Sequence, residues 1–177
     1  MATRRDPDPV KILVAVLWAN EDALRFALDA LGRLCGEIDF EGSDWTFDVT
    51  GYYDDEMGEG LQRRIVAFEC LQDPQILPEL KLRANEIEES LSDQRGRRVN
   101  LDVGYLDHHK VVLASLKEAG QKVYLSDGVY ADLMFRYRRG RYEPFEWTFP
   151  DFRDGRYEKH LLEIRSIYMR QLRSSRG

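Results

Sequence analysis

The chain has 177 residues, 43% of them hydrophobic and 33% charged; this suits one soluble globular domain and excludes a disordered chain. The formal net charge of −6 excludes a general nucleic-acid coat, and no DNA partner is expected, because such a coat needs a basic surface. No apolar run approaches the ~20 residues of a membrane span. Cys35 and Cys70 lack metal or disulfide spacing, so both are expected as free buried thiols in a cytoplasmic protein.

Residues 1–9, with two prolines and mixed charges, read as a flexible arm, and 174–177 as a flexible tail. Between them, residues 10–173 are expected to form a single domain. Residues 10–19 are almost continuously apolar, as in a central strand buried on both faces. Asn20 offers an N-cap, Glu21 and Asp22 suit the positive end of a helix dipole, and Leu24, Leu28, Leu31 and Leu34 recur at helical spacing before Gly36.

Residues 45–49 alternate like a strand and run into an acid- and glycine-rich loop over 52–60. A strand is expected over 61–71, centred on Ile65, Val66, Ala67 and Phe68. Asp73-Pro74 breaks the chain and Pro78 suits the start of a helix striped by Leu80, Ala84, Ile87 and Leu91. Short strands are expected over 99–101 and 110–116. Ser126-Asp127-Gly128 signals a hairpin between strands 121–125 and 129–137, and Arg139-Gly140 a second turn before a strand over 142–149, which Pro144 demotes to an edge. Asp154 is a cap for a last helix striped by Tyr157, Leu161, Ile164, Tyr168 and Leu172. This order predicts an α+β fold: a mostly antiparallel sheet, two or three helices chiefly on one face, and a ferredoxin-like split βαβ order at its core.

The densest polar stretch runs over residues 97–117. Arg97, Arg98, Lys110 and Lys117 could clamp an anionic small molecule, a nucleotide or a phosphorylated metabolite among them, with Asn100 and N–H groups near Gly104 completing the cradle and Asp102 as base or as the group that orients Lys110. Asx turns at Asn100 and Asp102 would give the same composition a purely structural role. Tyr53 and Glu56, in the acidic loop, join the candidate site if that loop folds over the stretch. Asp102 and Lys110 are thus the candidate catalytic pair, with Arg97, Arg98, Asn100, Tyr105, Tyr53 and Glu56 as candidate ligand contacts. No cofactor is identified.

Asp107-His108-His109 spells the tripeptide of the DHH phosphoesterases, but the first strand carries none of the acids those enzymes need. Adjacent histidines also point apart, so a solvated turn and no metal site are expected. His160, on the last helix, is expected at the surface or at an interface. Arg136, Tyr137, Arg138, Arg139, Arg141 and Tyr142 interleave bases with aromatics across a hairpin; with the aromatic segment 145–152 they offer an alternative role in binding RNA or a protein.

Several strings extend across nearly the whole chain: Tyr52-Tyr53 with Glu56-Met57-Gly58, Arg98-Val99-Asn100-Leu101-Asp102, Gly104-Tyr105-Leu106, Lys110-Val111-Val112-Leu113-Ala114-Ser115, Tyr124-Leu125, Gly128-Val129-Tyr130-Ala131 and Trp147-Thr148-Phe149-Pro150-Asp151-Phe152. In these the chain resembles an uncharacterised bacterial family catalogued as domain-of-unknown-function family 4416. The resemblance implies one domain and carries no established activity. The chain departs from the family pattern at Val103, where a proline is expected, and at His108-His109. It contains no G-x-x-x-x-G-K-[ST] phosphate loop.

Overall fold

The computed structural model describes residues 3–175. Residue 10 opens β1 (Val10–Trp18), whose residues are all buried. Ile12, Val14 and Val16 pack into one core, and Leu13 and Ala15 into another. Burial on both faces is why the strand is apolar at every position but Lys11 rather than alternating. Asn20 accepts a hydrogen bond from the Ala23 N–H and caps α1 (Glu21–Cys35), and Gly36 ends it at φ 97°.

The chain continues through β2 (Ile38–Glu41), the two-residue β3 (Trp45–Thr46), a single helical turn α2 (Asp54–Met57) and the long β4 (Gln62–Gln72). A 3₁₀ turn leads into α3 (Leu77–Ser90), with Pro78 in its first turn. Then come β5 (Val99–Leu106), β6 (Lys110–Ser115), β7 (Val123–Ser126), β8 (Val129–Arg138), β9 (Arg141–Pro144), the turn α4 (Pro150–Arg153) and α5 (Glu158–Ser175).

The fold is α+β, with nine strands in one sheet ordered β2-β4-β1-β5-β6-β8-β7; β3 adds to β4 and β9 to β8. Every pairing is antiparallel. The segment β2-β4-β1-β5, with α1 and α3 on one face, has the ferredoxin-like order. Two long helices therefore share a face, and α5 covers the other with Leu161, Ile164, Tyr168 and Leu172. Asp127-Gly128 (φ 53° and 77°) and Arg139-Gly140 (φ 51° and 84°) supply the two left-handed residues of type I′ hairpin turns.

Several boundaries differ from expectation. The strand expected over 45–49 stops at Thr46, because the chain then leaves the sheet to form a wall of the cavity described below. The strand expected over 99–101 runs on to Leu106, pairing with β1 along its whole length. The last helix starts at Glu158, since Asp154 instead accepts from the Arg156 N–H in a local turn. Ser174 and Ser175, expected in a loose tail, continue α5, and Pro9 of the expected arm accepts a hydrogen bond from the Tyr168 hydroxyl. Residues 1, 2, 176 and 177, within that arm and tail, lie outside the described residues.

One charge is buried in the middle of this framework. Lys11, in the apolar first strand, is fully buried, and its ammonium donates to Asp39 Oδ2 at 2.7 Å, Phe68 O at 2.8 Å and Gln171 Oε1 at 3.0 Å. The three acceptors come from β2, β4 and α5, so this ammonium ties the closing helix to the sheet. Asp39→Ala leaves the ammonium without a counter-charge. Its expected cost is about 3–5 kcal/mol of stability, read from urea unfolding; a loss under about 1 kcal/mol, as for an exposed pair, would show that the tie is unimportant.

Candidate functional site

Pairing between β5 and β6 covers only Gly104–Leu106 against Leu113–Val111. At Gly104 the strands come so close that a Cβ would lie 2.3 Å from Val112 O. Beyond that point they part, and the Leu101 peptide group on the open side of β5 needs other partners. Two charged side chains of α3 supply them: Lys81 Nζ donates to Leu101 O at 3.1 Å, and the Leu101 N–H donates to Glu88 Oε1 at 2.6 Å. Both side chains are buried on the stripe that carries Leu77, Leu80 and Ala84. The helix thus holds the split strands apart by satisfying the exposed edge.

A cavity of about 570 Å³ lies at the split, within the usual range for small-molecule sites. Lys81, Asn85 and Glu88 of α3 line one side. Arg63 of β4, Asn100 and Asp102 of β5, and Asp132 of β8 add polar groups from the strands. Phe47, Tyr52 and Tyr53 of the β3–β4 connection and Phe149 and Asp151 at the start of α4 add aromatic and acidic walls.

Arg63 is the most deeply buried cation of the cavity lining, 2% exposed, with its guanidinium 5.0 Å and 5.4 Å from the Phe47 and Phe152 ring centres. Its Nη1 donates to Asp102 Oδ2 at 3.2 Å, and its Nε lies 3.2 Å from Asp151 Oδ2. Arg97 directs Nε and Nη2 to the two oxygens of Glu56 at 2.7 Å and 2.8 Å. Its Nη1 donates to Asn100 Oδ1 at 2.8 Å and to Glu88 Oε2 at 3.2 Å. That contact fixes the Asn100 amide so that its NH₂ faces away from Arg97.

Burial raises the carboxyl pKa values of Glu88, Asp132 and Asp151 above their ordinary range, and pushes the Tyr53 hydroxyl up to about 12. Glu56 moves the other way, because its hydrogen bonds from Arg97 favour the carboxylate. Among the described residues, Asn100 Nδ2 and Asp132 Oδ1, on residues lining the cavity, are buried with no hydrogen-bond partner, while Arg63 Nε keeps its ion-pair contact with Asp151. Buried donors and acceptors are normally paired, so these two atoms leave hydrogen-bonding capacity unused beside the cavity.

The structure gathers only part of the polar stretch. Arg97, Asn100, Asp102 and Tyr53 line the cavity, and Glu56 is held beside it by Arg97. Close approach of the Glu56 loop requires Gly96, where a Cβ would lie 2.6 Å from Glu56 Cγ. Lys110 is elsewhere. It opens β6 on the face shared with Tyr105, 6.0 Å from that ring, and pairs with Asp107. Asp102 lies five residues of extended strand from Asp107, roughly 16 Å, and faces the opposite side.

The expected pairing of Asp102 with Lys110 is therefore corrected: Asp102 pairs with Arg63. Tyr105 packs with the core beneath α1 and α3, and Arg98 turns to Asp93 at 4.0 Å. A period of two explains the separation, since what reads as one polar turn is mostly a strand that sends alternate residues to opposite faces.

The remaining motifs also find places. His108 Nε2 lies 3.4 Å from Asp8, and His109 is exposed in the β5–β6 turn. Among the described residues no group of His, Cys, Asp and Glu is arranged to hold a metal. His160 is buried rather than at the surface, edge-on to Phe40 and 3.3 Å from Ser43 Oγ. Cys35 is buried as expected, but Cys70 is exposed. In the hairpin of residues 136–142, Tyr142 is buried against Phe135, and Arg165 covers the Tyr137 ring at 3.8 Å. Its rings thus face the protein, while Arg136 pairs with Glu143 and Arg141 with Glu158. Among the described residues no helix is long and apolar enough to cross a membrane.

The cavity residues that sequence reading missed are Arg63, Lys81, Glu88, Lys122, Asp132 and Asp151. Four had a usable signal. Arg63 shares strand parity with Ile65 and Ala67, Asp132 shares it with Met134, and Lys81 and Glu88 fall on an apolar helical stripe. A charge at an inward position needs a buried partner or a ligand.

A family model described as Domain of unknown function (DUF4416) matches residues 8–168. No curated protein and no solved structure matches the chain.

The raised pKa of Asp151 gives a signed pH dependence. Its folded form favours the proton, so its contribution is fully present below the ordinary value of 3.8 and is lost as pH rises through the folded pKa. Asp151→Asn has no such loss, and its stability relative to the native chain should therefore be greater at pH 7 than at pH 4 in urea unfolding. A native chain that gains on the variant as pH rises would show that the Arg63 attraction outweighs burial.

Proposed function

The chain belongs to the DUF4416 family, and from its cavity we propose that the protein binds an anionic small molecule with a flat organic part. The observation that carries this reading is the cavity at the β5–β6 split, beside which Asn100 Nδ2 and Asp132 Oδ1 are buried without a hydrogen-bond partner. The first is a donor suited to a ligand oxygen and the second an acceptor for a ligand N–H or O–H. Aromatic rings at Phe47, Tyr52, Tyr53 and Phe149 offer faces for the organic part. Lysine and arginine outnumber acids among the lining residues: Arg63, Lys81, Arg97, Lys117 and Lys122 against Glu88, Asp102, Asp132 and Asp151. Burial further disfavours the charge on three of those acids, so the site gains by admitting an anion. A cytoplasmic setting belongs to the same proposal, which the free thiols of Cys35 and Cys70 fit.

The test is a thermal-shift panel of nucleotides, sugar phosphates and organic acids. A ligand at 100 times its dissociation constant should add about 2.7 kcal/mol of stability. Asp132→Asn and Asn100→Ala should each weaken that ligand by about tenfold while remaining folded. A panel in which nothing raises the melting temperature, or a ligand indifferent to both substitutions, contradicts the assignment.

A further inference from the structure

The cations around the cavity are not equally available to a ligand. Both arginine forks are occupied, Arg97 by Glu56 and Glu88, and Arg63 by Asp102 and Asp151. Lys81 is committed to Leu101 O and Glu88. Lys117 differs: it is exposed, no carboxylate lies within ion-pair distance among the described residues, and its ammonium donates to the Tyr52 hydroxyl at 3.2 Å with the Tyr52 ring 5.1 Å away. Lys122 stands beside it. Its Nζ donates to Ser115 Oγ at 2.8 Å and is 3.5 Å from Asp132 Oδ2, while Ser115 Oγ also accepts from the Lys117 N–H at 3.1 Å. One serine hydroxyl thus ties the Lys117 main chain and the Lys122 ammonium together at the end of the cavity.

We infer that this Lys117–Lys122 end is a phosphoryl subsite and that the ligand is a phosphate monoester whose organic part runs toward the aromatic wall. The inference rests on the cavity being a ligand site. A planar carboxylate is best held by an arginine fork, and neither fork is free. Two ammonium groups from the β6–β7 connection, that of Lys117 without a carboxylate among the described residues and that of Lys122 shared with Asp132, instead suit a tetrahedral group, whose three terminal oxygens point in different directions and whose charge approaches two. Tyr52, lying over Lys117, places an aromatic face directly beside the phosphoryl position.

Isothermal titration with phenyl phosphate, benzoate and inorganic phosphate tests this on the full chain. The native protein should bind phenyl phosphate about tenfold or more tightly than benzoate, and Lys117→Met should weaken phenyl phosphate by about tenfold while changing benzoate little. Lys117 is exposed, so its substitution leaves the fold intact; Lys122→Met paired with Asp132→Asn removes the second ammonium without stranding a buried carboxylate. This double variant is read against Asp132→Asn alone, relative to which it should weaken phenyl phosphate further. Equal binding of benzoate, or phenyl phosphate binding that survives both variants but is lost in Arg97→Met, overturns the subsite while sparing the cavity. Failure of all three probes overturns the phosphoryl assignment, and the broader reading falls with it only where the ligand panel is also negative.

Discussion

The capture of one peptide group, that of Leu101, by a lysine and a glutamate from α3 is the constraint on which the site depends. An antiparallel sheet ordinarily closes every internal edge with the next strand, because an unpaired buried amide is costly. Here β5 and β6 stay paired only as far as Gly104 and Leu113, and the free edge beyond is satisfied by side chains instead. Two buried charges stand where backbone pairing would be cheaper in desolvation. What the exchange achieves is space: strands that would zip together instead flank a cavity within the sheet, lined by both strands and by the helix that parts them.

The electrostatics of that cavity follow from the same geometry. Glu88 faces two ways, accepting the Leu101 N–H with one oxygen and Arg97 with the other, and Arg97 in turn holds Glu56 and Asn100. The β3–β4 connection is thereby fastened to the strand edge by the charges that keep the edge open. Arg63, between two aromatic rings and two carboxylates, does the same for the opposite wall and the start of α4. With the arginines consumed in building the site, Lys117 at its mouth is left without a carboxylate partner among the described residues.

The sequence made the framework legible and the site only partly so. The unbroken apolar β1, the Asn20 cap, the two glycine turns and the α5 stripe are local signals, and each appears where its chemistry demands. The site depends on strand parity and on long-range partners. Asn100, Asp102 and Arg97 could be singled out because polar residues crowd around them, but nothing local shows that Asp102 faces Arg63, 39 positions earlier in the chain, rather than Lys110. Lys110 and Tyr105 belong to the other face and the other end, which a reading of residues 97–117 as one polar stretch could not separate. Arg63 and Asp132 carried the better clue, a charge at an inward-facing strand position.

Amide hydrogen exchange at Leu101 in the native chain and in Glu88→Ala tests most directly whether the helix holds the strands apart. Alternate peptide groups of β5 turn to β1, so the Asn100 and Asp102 amides serve as internal references. With the acceptor removed, the Leu101 amide should exchange about tenfold or more faster while Asn100 and Asp102 keep their protection. Protection at Leu101 that is unchanged by the substitution would mean that another group closes this edge, and the cavity would then owe nothing to the helix.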